Sequence, residues 1–164
     1  MYKVKGKPWA YSGAIDVSDC ATAKEVMLKA GLNFNVAKCE LVGKMPIKLT
    51  GTDEELDRII KEQKEGTHVF GTDIYRKCDN AFATYRTDYN IPLGVVKSKY
   101  TIVQNNDAFN FFDDAISKNS AIWQTAGFWG NGERIFVSAK LPNNILVKGD
   151  PVENYLVFTN THDG

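Results

Sequence analysis

Six side chains in the middle of the chain combine aromatic faces with positive charge: Tyr85, Arg86, Tyr89, Lys97, Lys99 and Tyr100. They lie on two neighbouring strand-like segments. Aromatic rings stack on unpaired bases while cations follow phosphates, a pairing used by exposed sheets that bind single strands. Register decides whether the set converges. Arg86 placed directly opposite Lys97 leaves two like charges repelling unless an anion lies between them. One residue of slip moves Arg86 to the other face. The competing reading puts the tyrosines in the core and the lysines at a sheet edge, where they block aggregation.

His162-Asp163 is the second group with chemical potential. A metal-dependent phosphohydrolase needs further His and Asp ligands, and the chain has only one other histidine, His68. The plainer reading is a polar turn after a last strand, closed by Gly164 with a positive φ. Cys78 could join a nucleophilic triad assembled in space. It has no Gly-x-Ser-x-Gly elbow and no small-residue oxyanion loop, and a buried or half-buried structural thiol is expected. No Cys-x-x-Cys or His-x(3–5)-His pair seeds a zinc site, so no metal is expected. Gly127-Phe-Trp-Gly130-Asn-Gly132 lacks the helix and the Lys-Ser/Thr of a phosphate loop. A hairpin turn accounts for its three glycines. No catalytic residue and no cofactor are assigned.

Composition narrows the partners. The 164 residues, 43% of them hydrophobic, are enough for one domain with a packed core. Lys plus Arg, 20, equals Asp plus Glu, 20, so no global field attracts nucleic acid or anionic lipid. Neither half of the chain is a polybasic arm, and any nucleic-acid contact must rest on a local patch. Three cysteines at irregular spacing do not form a secreted disulfide framework. The N-terminal segment lacks the apolar stretch of a signal peptide, and no apolar run is long enough for a membrane span. These features predict a cytoplasmic protein with no membrane attachment.

The elements that must position these residues are legible in part. Thr22-Ala-Lys-Glu25 reads as a capping box, with Ala23, Val26, Met27 and Ala30 on one helix face and Gly31 ending it. Phe34 to about Val42 reads as a strand. Residues 44–72 read as an insertion, opened by a second capping box at Thr52-Asp-Glu-Glu55. Leu56, Ile59 and Ile60 give it only a narrow apolar stripe, so 53–65 is expected to be a surface helix. Ala81–Asp88 and Val95–Gln104 read as strands joined by the turn-prone linker Asn90-Ile-Pro-Leu-Gly94. Asn105 or Asn106 is expected to cap a helix that buries Phe109, Phe112 and Ile116. Ile122–Trp129 and Glu133–Leu141 flank the hairpin signal Asn131-Gly132, and Asn154–Asn160 forms a last strand. The fold class is therefore α+β. A single domain, residues 1–164, is built on a mainly antiparallel sheet of about five or more strands, with helices packed on one face and a surface helical insertion.

Certain blocks resemble a known family. Tyr85-Arg-Thr-Asp88, Leu93-Gly-Val-Val96, Tyr100-Thr-Ile-Val-Gln-Asn105 and Thr161-His-Asp-Gly164 follow one another as in domain of unknown function 932. Pro8-Trp9, Gly13 and Ala30-Gly-Leu-x-Phe34 are similar to its N-terminal motifs, although Ala10 stands where a His is usual. The family has no established activity, and its members are phage- and plasmid-borne and typically longer. The resemblance thus implies a mobile-element protein in a bacterial host, acting in replication, recombination or host takeover.

The reading placed first is a non-enzymatic accessory protein that engages single-stranded nucleic acid through Tyr85, Arg86, Lys97, Lys99 and Tyr100. The alternative is a protein-interaction module that binds a host factor. The third is an enzyme using His162 and Asp163. A basic, aromatic-studded groove distinguishes the first, and a neutral apolar patch the second.

Overall fold

The computed structural model describes residues 13–46, 54, 57, 61, 67–70 and 73–164. Its strands are β1 (Ala14–Asp16), β2 (Val36–Pro46), β3 (Thr67–Phe70), β4 (Asp73–Arg86), β5 (Ile91–Lys97), β6 (Ile122–Trp129), β7 (Arg134–Lys140), β8 (Ile145–Val147), β9 (Asp150–Val152) and β10 (Tyr155–Thr161). Helix α1 (Ala23–Lys29) follows β1, and helix α2 (Asn105–Asn119) follows β5. Every strand pairing is antiparallel. The α+β class holds, but the single large sheet expected from the sequence does not. The strands divide into a sheet β1-β6-β7-β10, a sheet in which β4 pairs β2, β3 and β5, and the isolated ribbon β8-β9.

Strand β4 is the reason for the second sheet. It runs for 14 residues, long enough to hold β2 along one edge while β3 and β5 share the other, at Asp73–Arg76 and Ala81–Arg86. The described flanks of the expected insertion, Lys44–Pro46 and Thr67–Phe70, both pair with β4 and extend this sheet. The body of the expected helix over 53–65 lies outside the described residues, apart from Glu54, Asp57 and Lys61, which are helical and exposed.

Helix α1 forms as its sequence dictates. The Thr22 hydroxyl accepts from the Glu25 amide at 3.3 Å, and the Glu25 carboxylate accepts from the Ala21 amide at 2.7 Å. Its other end closes with the Leu32 amide donating to the Met27 carbonyl at 2.8 Å and Gly31 at φ +67°. Leu32 is thereby driven into the core, fully buried. Helix α2 buries Phe109, Phe112 and Ile116 against the first sheet. Phe112 meets the Trp123 ring edge-on at 5.7 Å and lies 5.8 Å from the Phe158 ring. On β7 the expected apolar face, Ile135, Val137 and Ala139, joins the same core, and Phe136 and Ser138 on the opposite face are buried too.

Two local expectations need correction. Asn90-Ile-Pro-Leu-Gly94 is not a linker: the turn ends at Asn90, with φ +53°, and Ile91–Lys97 is strand β5. Pro92 is tolerated there because, among the described strands, β5 pairs with β4 alone, so no second neighbour needs its missing N–H. The hairpin between β6 and β7 accounts for Gly130 and Gly132 but not Gly127. That residue lies inside β6, where a Cβ would stand 2.6 Å from the Gly13 carbonyl oxygen. Among the described residues no helix is long and apolar enough to cross a membrane.

Phe112 connects α2 to both Trp123 and Phe158. Phe112→Ala is expected to cost ~3–5 kcal/mol of stability, read as a lowered denaturation midpoint. An unchanged midpoint would show that the ring does not sit in the core.

Candidate functional site

Of the side chains singled out in the sequence, His162, Asp163 and Tyr100 meet at the turn Thr161-His162-Asp163-Gly164, and His162 faces inward. His162 has no exposed surface, and its ring stands edge-on to Phe34 at 6.1 Å between centroids. Its Nε2 lies 2.8 Å from Asn105 Oδ1. Asn105 Nδ2 donates to the Leu32 carbonyl at 3.0 Å and lies 3.4 Å from that of Phe34, which fixes the amide so that Oδ1 is the acceptor. Nε2 is therefore the nitrogen that donates, and the buried Nδ1 has no partner. Burial holds the His162 pKa below its ordinary value, with the neighbouring Asp163 charge opposing that shift.

The backbone of the turn is held just as tightly. The His162 amide donates to the Glu133 carbonyl at 2.7 Å, and the buried Thr84 hydroxyl donates to the His162 carbonyl at 2.6 Å. The Tyr100 hydroxyl donates to the Thr161 carbonyl at 2.8 Å. Gly94 is required by contact: a Cβ there would lie 2.5 Å from Asp163 Cα. Asp163 Oδ2 accepts from Arg134 at 3.1 and 3.2 Å, while its Oδ1 is buried without a partner. Gly164 adopts φ +109°, the positive value read from the sequence.

The aromatic and basic set is divided by the register. Arg86 pairs with Ile91 and Lys97 with Ala81, so the two cations never face each other. Arg86 points inward and is 8% exposed. Its guanidinium stacks 3.9 Å from the Phe34 ring centre, donates to the Asn131 carbonyl at 2.8 Å, and pairs with Asp88 at 2.7 Å. The Arg86 hydrogen bond and charge hold the Asp88 carboxyl below its usual range. Tyr100 is half-buried, and burial, aided by Asp163, pushes its phenol pKa up. Tyr85 is half-buried on the face of β4 opposite Arg86; Tyr89, Lys97 and Lys99 are exposed. Of the five residues assigned to nucleic acid, the sheet leaves Tyr85 and Lys97 on one open face with Lys99 beside them, and turns Arg86 and Tyr100 into the structure.

Sequence reasoning missed Asn105, Thr84, Gly94 and Arg134 as partners of the turn. Asn105 was expected to cap α2, as was Asn106. Instead Gln104 occupies the cap position without capping, because its amide binds both the N–H and the C=O of Val36, at 3.0 and 2.8 Å. The amide imitates a strand residue at the open edge of β2 and frees Asn105 for His162. The juxtaposition of Gln104-Asn105 with Thr161–Gly164 among the family blocks was the available signal. Cys78 is half-buried, as expected of a structural thiol. Among the described residues no three His, Cys, Asp or Glu side chains gather where they could hold a metal ion.

Against this geometry, residues 92–164 match the family model described as Domain of unknown function (DUF932). The family resemblance is therefore shown over the segment from β5 to the terminal turn. No curated protein and no solved structure matches the chain.

Because the folded-state pKa of His162 is depressed, unfolding takes up a proton between that value and the ordinary 6.5. Stability from this group is fully present above the ordinary value and is lost as pH falls through it toward the folded pKa. Denaturant titrations near pH 7.5 and 5.5 should show a loss on acidification that is smaller in His162→Gln. An equal loss in the variant would place the effect elsewhere.

Arg86→Ala should lower the thermal midpoint by removing a buried stack and a bond to the β6–β7 loop, while Lys97→Ala and Lys99→Ala leave it nearly unchanged. Equal effects from all three would contradict the division of the set into an inward Arg86 and outward lysines.

Proposed function

We propose that the chain is a non-enzymatic interaction module that binds a partner protein on the open face of the β2-β4-β5 sheet. The observation that carries this reading is two cross-strand rows of small or apolar residues. Ala37, Tyr85 and Pro92 form one row, and Cys39, Ala83 and Val95 the next. All six are half-buried or exposed, and Val95 is 57% exposed. Such a face has little to offer phosphates, and the chain as a whole carries no net charge. Lys97 continues the Val95 side of the face and Lys99 follows it, so the fitting partner is apolar at its centre and acidic at one margin. The family resemblance, with its phage and plasmid setting, suggests a host protein in the bacterial cytoplasm, bound by a mobile-element accessory factor.

Nucleic acid is the second reading, supported by Tyr85 and Lys97 on that face and Lys99 next to it. Catalysis by His162 and Asp163 has less support. A substrate would reach His162 only after the terminal turn had opened.

Affinity capture from expressing bacterial cells, with and without nuclease, separates the first two readings when run beside Val95→Glu and Lys97→Glu/Lys99→Glu. A retained protein that survives nuclease and is lost with Val95→Glu supports the partner reading. Anisotropy with a labelled single-stranded oligonucleotide gives the opposing outcome. Binding at low salt that the lysine reversals abolish, with a salt slope falling by about one unit per removed contact, would replace it with nucleic acid.

A further inference from the structure

The ribbon β8-β9 has no use in anything described above. Among the described residues its two strands pair only with each other, and all six of their residues are exposed. Five are apolar: Ile145, Leu146, Val147, Pro151 and Val152, with Leu146 71% exposed. The turn at its tip is Lys148-Gly149, with φ of +52° and +88°, the two left-handed residues of a type I′ hairpin. Its base is fixed. The Leu141 amide donates to the Asn154 carbonyl at 2.9 Å, Asn154 Nδ2 donates to the Asn143 carbonyl at 3.0 Å, and Lys140 pairs with Glu153. A two-stranded ribbon with apolar residues on both faces is marginal in water, so this arm is formed but incomplete.

Its two edges are not equivalent. Val147 and Asp150 flank the two-residue turn and form the hydrogen-bonded pair that closes it. Alternation then turns the N–H and C=O of Leu146 away from β9, to a side on which no other described strand pairs with β8. The corresponding outward position on β9 is Pro151, which has no N–H to offer. Strand β9 is thus a blocked edge and β8 an open one, without the charges or proline that natural edges use for protection.

We propose that β8 pairs with β8 of a second copy of this chain, antiparallel about a two-fold axis at Leu146. The two Leu146 residues then exchange both backbone hydrogen bonds, and Ile145 of each copy stands opposite Val147 of the other. Both cross-strand pairs are apolar and on one face, the arrangement that stabilises antiparallel neighbours. On the other face Pro151 and Leu146 of both copies line up in one apolar row. The result is a four-stranded sheet, β9-β8-β8-β9, closed by the isologous symmetry commonest among homodimers. A second copy fits this edge better than an unrelated strand because the three residues are complementary to themselves in this register. The zero net charge of the chain sets no long-range repulsion against the association. The inference is independent of the β2-β4-β5 partner face.

Sedimentation velocity of the full chain across a concentration series tests it, with Leu146→Lys and Leu146→Pro as variants. The proline keeps an apolar side chain but removes the outward N–H, and it leaves the β8-β9 bonds intact. Wild type should form a dimer in the micromolar range. Each variant should dissociate about tenfold or more readily, Leu146→Pro because two interstrand bonds are lost and Leu146→Lys because two like charges then stand opposite each other at the axis, and its thermal midpoint extrapolated to monomer should be unchanged because the arm lies outside the core. A wild type that remains monomeric up to ~100 μM, well above ordinary specific association, overturns the proposal. A dimer equally stable in Leu146→Pro overturns the edge pairing and points to face-to-face packing instead.

Discussion

The buried pair of His162 and Asn105 is the constraint on which the described structure turns. An amide and an imidazole taken out of water must satisfy each other or cost free energy. Here the pair ties the last turn of the chain to the first turn of α2. Asn105 in turn holds the carbonyls of Leu32 and Phe34, where the chain leaves α1 for β2. One side-chain pair therefore joins the terminal turn, α2 and the second sheet at a point where hydrophobic contact alone would leave their relative positions loose.

Around that pair, groups with chemical potential hold neighbouring segments in place. The Arg86 guanidinium clamps the β6–β7 loop onto Phe34, Thr84 grips the His162 carbonyl, and Arg134 holds Asp163. The absence of a side chain at Gly94 lets the turn lie against β5. The segment matched by the family model begins at Pro92 and ends at Gly164, so it spans both halves of this docking. The family blocks read from the sequence thus mark, in large part, the residues that fasten the turn.

The exterior is the complement of that interior. The outer face of β2-β4-β5 and the ribbon β8-β9 present apolar residues where a monomer gains nothing by exposing them. The first is a sheet face with little backbone on offer; the second is an edge whose N–H and C=O groups meet no other described strand. They differ in physical character.

Sequence periodicity and capping chemistry determined the local elements. The α1 capping box, the Phe109–Phe112–Ile116 stripe, the alternation of β7 and the Asn131-Gly132 hairpin are short-range signals, and the molecule obeys them. Tertiary structure decided what those signals could not carry. Whether Arg86 faces solvent depends on its register with β2 and β5, and period-two alternation makes either face equally legible in one strand. The division into two sheets depends on one strand being long enough for two neighbours on the same edge. Asn105 caps helices in the local code, and it was diverted only because Gln104 found strand-like partners 68 residues away. Contacts at that separation are set by the packing of the whole core, which no window of sequence contains.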